Sequence, residues 1–284
     1  MLLPFADCGS YILLAGLLAM GRLLADDDLN SAIYYSKRTD TGWGAPSGRL
    51  SISRHEVHIW RANLNQPAAA TNGLFDTLNE NERARARRFH FERDERHFIV
   101  ARGILRILLG RYMQVQPKQL VFTYNPYGKP SLDETFGCER PRFNLAHSRG
   151  LVYYAISGSR DVGIDVEYII PGIEVQQLAE RFFSPAETDE LLALPKELQL
   201  EAFFNCWTRK EAYIKARGEG LSFPLANFVV SLVPGAPAKL LATADLEDQA
   251  ACWTLHDLPS RPGYVAALAY KGQPGHLSCW NWPN

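Results

Sequence analysis

Apolar positions recur along this chain in two periods, and the points where one period replaces the other outline its elements. From Glu56 to Ala62 apolar and polar residues alternate, the signature of a half-buried strand. Phe98, Leu105, Leu108 and Leu109 then fall on one stripe of a helix over residues 92–113. A short β segment at Leu120–Tyr124 runs into Asn125-Pro126-Tyr127-Gly128-Lys129-Pro130, which is turn chemistry. Leu151–Ser157 is a second β run, closed by the turn Ser157-Gly158-Ser159. Beyond it a strand is expected over Val162–Glu167 and a helix start at Ser184-Pro185-Ala186-Glu187, with Ser at N-cap, Pro at N1 and Glu at N3. A longer helix carries Phe204, Trp207 and Glu211 on an i, i+3, i+7 path and stops near Gly218. Phe228–Leu232, Trp253–Leu255 and Tyr264–Ala269 are further strand candidates. From Lys271, with Pro274, Gly275 and Pro283, the chain reads as a surface tail.

Strands and helices mixed in this way predict an α+β fold with its seam near the turn at 157–159. The halves are then residues 54–158 and 159–284, and they share a faint internal echo, Arg181-Phe182-Phe183 against Arg88-Phe89. Residues 1–53 fit neither half. The apolar run Tyr11–Met20 is too short to span a bilayer, and the only charge before it is Asp7, not the positive charge of a secretory signal. Residues 36–53 are rich in Gly, Ser and Arg and read as linker. The expectation for 1–53 is a poorly ordered extension, as a start codon upstream of the folded body would give. A short targeting or membrane-surface helix is the second reading.

Composition narrows the function classes. The 284 residues are 46% hydrophobic and 21% charged, ordinary for a globular protein, and the net charge of −1 gives no global field for nucleic acid. The five cysteines are scattered, with no zinc or disulfide spacing, so a reducing cytoplasm is the expectation. No membrane span and a monomeric state are expected as well.

The chemistry lies in Val162-Gly163-Ile164-Asp165-Val166-Glu167. On a strand, Asp165 and Glu167 share one face while Val162, Ile164 and Val166 take the other. Two carboxylates that close raise each other's pKa unless a cation lies between them, and Mg²⁺ suits oxygen donors and substrate phosphates. The helix of Trp207 offers a third carboxylate, Glu211, with Lys215 one turn on. Taken singly, an Asp-x-Glu strand is a common solvated edge and a Glu–Lys pair a common helix-surface pair. Together with Gly163 and Trp207 they point to chemistry on a phosphate ester or pyrophosphate.

This strand motif, with Trp207-Thr208-x-Lys210-Glu211-Ala212-x-x-Lys215, resembles the paired signatures of the Sfp-type 4′-phosphopantetheinyl transferases, over roughly Val57 to Tyr270. The resemblance implies two similar subdomains related by a pseudo-two-fold, each a small, mainly antiparallel sheet packed on a long helix, with the site in the cleft between them. It implies transfer of the 4′-phosphopantetheine arm from coenzyme A to a serine of an apo acyl or peptidyl carrier protein, with release of 3′,5′-adenosine bisphosphate. Carriers of fatty-acid, polyketide and peptide synthases are all open. Asp165, Glu167 and Glu211 would hold Mg²⁺; Glu211, Lys215 and Glu167 would be catalytic, and spacing does not decide between Glu211 and Glu167 as base. Arg87 and Arg88, in the basic segment from Arg83, would meet the 3′-phosphate of coenzyme A. Lys129 and Pro130, in a Gly-Lys-Pro like the family's adenine-side loop, would lie near the nucleotide. His147, in Asn144-Leu145-Ala146-His147-Ser148, would approach the phosphates, with Ala146 in place of the family's usual serine. Lys210 would bind phosphate or face solvent. Two rival readings use the same residues: a Mg²⁺-dependent nucleotide pyrophosphatase, and a coenzyme A-binding module without catalysis.

Overall fold

The computed structural model describes residues 42–46, 48–244 and 249–283. Among them, β1 (Glu56–Asn63) leads to α1 (Ala68–Phe75), α2 (Glu80–Ala86) and the long α3 (Glu92–Met113). The hairpin strands β2 (Phe122–Tyr124) and β3 (Pro130–Leu132) follow, then β4 (Arg142–Ser148), β5 (Leu151–Ser157) and β6 (Val162–Tyr168). Next come α4 (Val175–Phe182), α5 (Pro185–Ala193) and the long α6 (Lys196–Arg217). The chain closes with β7 (Phe228–Val230), β8 (Leu240–Thr243), β9 (Trp253–Asp257), β10 (Tyr264–Lys271) and β11 (His276–Asn281).

Two sheets carry the architecture, in the orders β11-β1-β5-β4 and β6-β10-β9. They stack with a long helix outside each, giving four layers: α3, first sheet, second sheet, α6. Three apolar clusters fill the gaps. Ile104, Leu105, Leu108 and Leu109 of α3 meet Trp60, Val152, Tyr154 and Ile156. Ile59, Tyr153 and Ala155 meet Val162, Ile164, Val166, Ala266 and Leu268 between the sheets. Phe203, Trp207 and Tyr213 of α6 lie under Val265, Ala267 and Ala269. This layering explains why β5 is buried at every position: its odd residues face the other sheet and its even ones α3. The α+β class follows, and antiparallel pairing dominates, with β1–β11 the parallel exception.

Two boundaries differ from the sequence reading. The segment after Lys271 is no surface tail: β11 pairs parallel with β1, and Trp280 and Trp282 pack on the first-half core. Residues 276–281 therefore belong with the first sheet, although the sequence reading put them in the second half. Likewise, folded structure begins before residue 54. Leu50 is buried in the first core, and Trp43 packs edge-on against Tyr153 under the guanidinium of Arg61. The Tyr11–Met20 run lies outside the described residues. Among those described, no helix is long and apolar enough to cross a membrane.

Candidate functional site

Strand β6 is the edge of its sheet, and its two faces do different work. Val162, Ile164 and Val166 join the cluster between the sheets, which turns Gly163, Asp165 and Glu167 toward α6. Gly163 sets how close that helix comes. A Cβ there would lie 2.0 Å from the carbonyl oxygen of Ala212 and 2.2 Å from the amide of Ala216, so only glycine lets α6 sit directly on the strand. This contact brings the turn of α6 that bears Glu211 and Lys215 against the two strand acids. Trp207, one turn before Glu211 on about the same face of α6, is wholly buried in the second-half core, where it stacks on Phe203.

All three carboxylates are buried, Asp165 at 0%, Glu167 at 2% and Glu211 at 1% exposure. The Lys215 ammonium donates to Asp165 Oδ1 at 2.6 Å. Glu167 Oε2 accepts the Ser148 hydroxyl at 2.9 Å, and the same hydroxyl accepts the Tyr168 amide at 3.1 Å. Burial pushes the Glu211 carboxyl up to about 7; the Asp165 charge adds to the rise and Lys215 opposes it. Glu167 is driven well above the carboxylate range by burial first and then by Asp165 and Glu211, against Ser148 and Lys215. The Glu211 Oε1 atom is buried with no hydrogen-bond partner. Three acids thus sense one another beside the Lys215 ammonium, and burial opposes ionisation of the two glutamates.

This arrangement bears directly on a metal. Among the described residues no three His, Cys, Asp or Glu side chains close into a ready cluster, because the Lys215 ammonium sits on Asp165 and Ser148 holds Glu167. The donor chemistry fits a hard divalent cation all the same: oxygen ligands only, two glutamates whose ionisation a cation would favour, and one orphaned buried oxygen on Glu211.

The other residues singled out from sequence are spread more widely. Arg87 and Arg88 are exposed just past α2, where Arg87 makes a long contact of 3.8 Å to Glu80. His147 is half-buried on the α3 side of β4, one residue before Ser148. It stands close enough to His97 of α3 to help lower the pKa of that ring, after burial, together with Arg93 and Arg96. Pro130 is buried at the start of β3. Lys129 does not extend into open solvent: its Nζ donates to the carbonyls of Ala216 at 3.0 Å and Val162 at 3.2 Å, and burial lowers its pKa to about 8.

Lys210 is a correction. Its ammonium is fully buried, paired with Glu187 at 2.7 Å and donating to the carbonyls of Leu225 at 2.8 Å and Phe228 at 2.5 Å. One position before Glu211 on a helix is a rotation of about 100°, enough to send the side chain into the second-half core rather than to a phosphate. The acids also do not line an open cleft between the halves. They lie between β6 and α6, and Ser148 of the first half reaches Glu167 there by hydrogen bond.

Three features escaped the sequence reading. Ser148 sits in the Asn144–Ser148 motif and alternates with His147, so period two alone would have turned it toward β6. Asn144 Oδ1 accepts the Ile164 amide at 2.8 Å, standing in for a backbone carbonyl where the two sheet edges meet. Glu82 is buried between Arg102 at 2.7 Å and Arg106 at 2.5 Å while closing the α2 capping box. No local signal marks such a bridge.

Comparison with known proteins agrees over most of the chain. Residues 161–269 match the family model described as 4′-phosphopantetheinyl transferase superfamily, and residues 60–159 match that of the 4′-phosphopantetheinyl transferase N-terminal region. The 4′-phosphopantetheinyl transferase HetI of Nostoc is 39% identical over 240 residues, 84% of this chain and 98% of that protein. The transferase psf-1 of Bacillus pumilus is 34% identical, over 67% of this chain and 77% of its own length. Sfp of Bacillus subtilis is 34% identical, over 55% of this chain and 66% of its own length.

Proposed function

The chain belongs to the 4′-phosphopantetheinyl transferase superfamily, and from that membership we propose how its own residues divide the reaction. The activity is transfer of phosphopantetheine to a carrier protein, with coenzyme A as the family's donor substrate. The observation that carries the reading is the seat at Gly163, which sets Glu211 and Lys215 of α6 against Asp165 and Glu167 of β6.

In the proposed step the hydroxyl oxygen of a carrier serine attacks the pantetheine-side phosphorus of coenzyme A. A new P–O bond forms as the bridging P–O bond breaks, 3′,5′-adenosine bisphosphate leaves, and the serine proton passes to a carboxylate. Glu211 is the better base: its Oε1 lacks a partner and its carboxyl is poised near 7, while Glu167 already accepts Ser148. Lys215, which lies against Asp165, would stabilise the charge that builds on the departing pyrophosphate oxygen. Asp165, Glu167 and Glu211 would hold Mg²⁺, which supplies charge neutralisation at the pyrophosphate. The exposed Arg87 and Arg88 and the basic corner at His147 suit the 3′-phosphate end of coenzyme A, and Pro130 lies on the loop proposed to flank the nucleotide. A pseudo-two-fold relation between the halves, a monomeric state and a cytoplasmic setting complete the proposal. Free thiols at Cys138, Cys206, Cys252 and Cys279 suit a reducing compartment.

The test is to incubate the protein with coenzyme A, Mg²⁺ and a panel of apo carriers and to measure the intact carrier mass. A phosphopantetheine increment on a serine, lost with EDTA and regained with Mg²⁺, is expected. Hydrolysis of coenzyme A with no carrier modified would favour the pyrophosphatase reading instead.

A further inference from the structure

The loop between β2 and β3 crosses from the first half onto the end of α6. Asn125 Nδ2 donates to the Gly218 carbonyl at 2.6 Å, and Lys129 Nζ donates to the carbonyls of Ala216 and Val162. The loop is built to present both side chains. Asn125 Oδ1 accepts the amides of Tyr127 at 3.0 Å and Lys129 at 2.8 Å, and the Asn125 amide donates to the Lys129 carbonyl at 3.1 Å. Helix α6 ends at Arg217, with Gly218 in the left-handed conformation at φ 79°, so the carbonyls of its last turn have no partner within the helix. A lysine there satisfies one of them and complements the negative end of the helix dipole. A Cβ at Gly218 would come within 3.2 Å of both Asn125 Nδ2 and Lys129 Cδ, so the loop and the helix end are in direct contact.

The carbonyls chosen matter. Ala216 follows Lys215, and Val162 opens the strand that bears Asp165 three residues later. One ammonium therefore ties together the helix end and the strand start whose side chains form the 2.6 Å Lys215–Asp165 pair. We propose that Asn125 and Lys129 are positioning residues, a latch from the first half that holds α6 in register with β6, and that the Lys129 ammonium acts through these carbonyls rather than on the nucleotide. The inference rests on the transferase reading, because register between Lys215 and Asp165 counts only if they act on one pyrophosphate.

Lys129→Met and Asn125→Ala separate the possibilities. Wild-type transfer to an apo carrier tests the parent reading on its own. Given that activity, each variant should lose about tenfold or more in kcat, because small misplacements of reacting groups cost up to about a hundredfold, while KM for coenzyme A moves less than about threefold. Lys129→Arg, which still donates to carbonyls, should recover part of the loss. The double variant should be hardly worse than either single one, as expected for two parts of one device. A rise of tenfold or more in KM for coenzyme A in Lys129→Met, with kcat kept and Asn125→Ala normal, would overturn the latch and make Lys129 a nucleotide ligand. A lower Tm with kcat unchanged per folded molecule would also overturn it, leaving an ordinary structural contact. Should Lys129→Met not fold, Asn125→Ala decides alone: reduced kcat at constant KM supports the latch, and normal kcat removes it.

Discussion

Glu82 and Glu211 are both buried glutamates facing cations, and their surroundings differ in one respect. Glu82 has two arginines on its two oxygens and the Asn79 amide besides. Glu187, in the other half, is as complete: Oε2 takes the Lys210 ammonium and the Ser184 hydroxyl and amide, and Oε1 takes the Val230 amide. Around Glu211 three acids lie near Lys215, and Glu211 Oε1 has nothing to accept. Buried charge is tolerated only when paired and hydrogen-bonded, so the two complete clusters hold the fold. The incomplete one raises its own pKa values and is ready for a further positive partner. In this family that partner is proposed to be Mg²⁺. The contrast separates structural acids from working ones without reference to motifs.

The sharpest break of that contrast is Glu211→Gln. It keeps size and one oxygen but loses basicity, so single-turnover rates at saturating coenzyme A and carrier should fall by roughly two to four orders of magnitude. Coenzyme A affinity should change far less, and near-normal rates would pass the base role to Glu167. Asp165→Ala should abolish transfer as well, while the fold measured by urea unfolding remains.

The complementary break is at the complete clusters. Glu187→Ala would strand the Lys210 ammonium in the core and should cost about 3–5 kcal/mol in urea unfolding, the range for opening a buried pair. Transfer per folded molecule should stay within a few-fold of normal. A large loss of turnover in a stably folded Lys210→Met protein would instead restore a phosphate role to Lys210.

A gentler effect sharpens the comparison through pH. The Glu211 carboxyl is raised from its ordinary 4.5 to about 7, so the folded state holds that proton more tightly than the unfolded chain. The stability it contributes is fully present below about pH 4.5 and is lost as pH rises through 7. In EDTA the wild-type Tm should therefore fall more steeply between pH 5 and 8 than that of Glu211→Gln. Mg²⁺ at pH 8 should recover the wild type and not the variant. Parallel pH curves for the two proteins would show that Glu211 is not the strained group.

The smallest change concerns the rim. Arg87 is 61% exposed on its side chain, so Arg87→Ala should leave Tm unaltered and raise KM for coenzyme A only a few-fold, less at high salt. A salt-independent effect would mean that the side chain packs rather than attracts.

What the sequence determined by itself was local and periodic. Alternation put Asp165 and Glu167 on one face of β6 with Gly163, helical spacing put Glu211 beside Lys215, and the Ser184–Glu187 capping box and the Gly218 stop marked helix ends where they occur. These follow from bond geometry, which each residue carries wherever the chain goes. Periodicity names a face but not what covers it. Lys210 and Lys215 look alike in the motif, yet one is sealed on Glu187 and the other bonds Asp165. Lys129 reads as a turn lysine until α6 arrives over it, and His276–Asn281 reads as a tail until β1 offers it an edge. Ser148 and Glu82 gained their roles from partners on other elements, 19 and 20 or more residues away. Only the tertiary structure decided these, because burial and pairing of a charge depend on which distant surface closes over it.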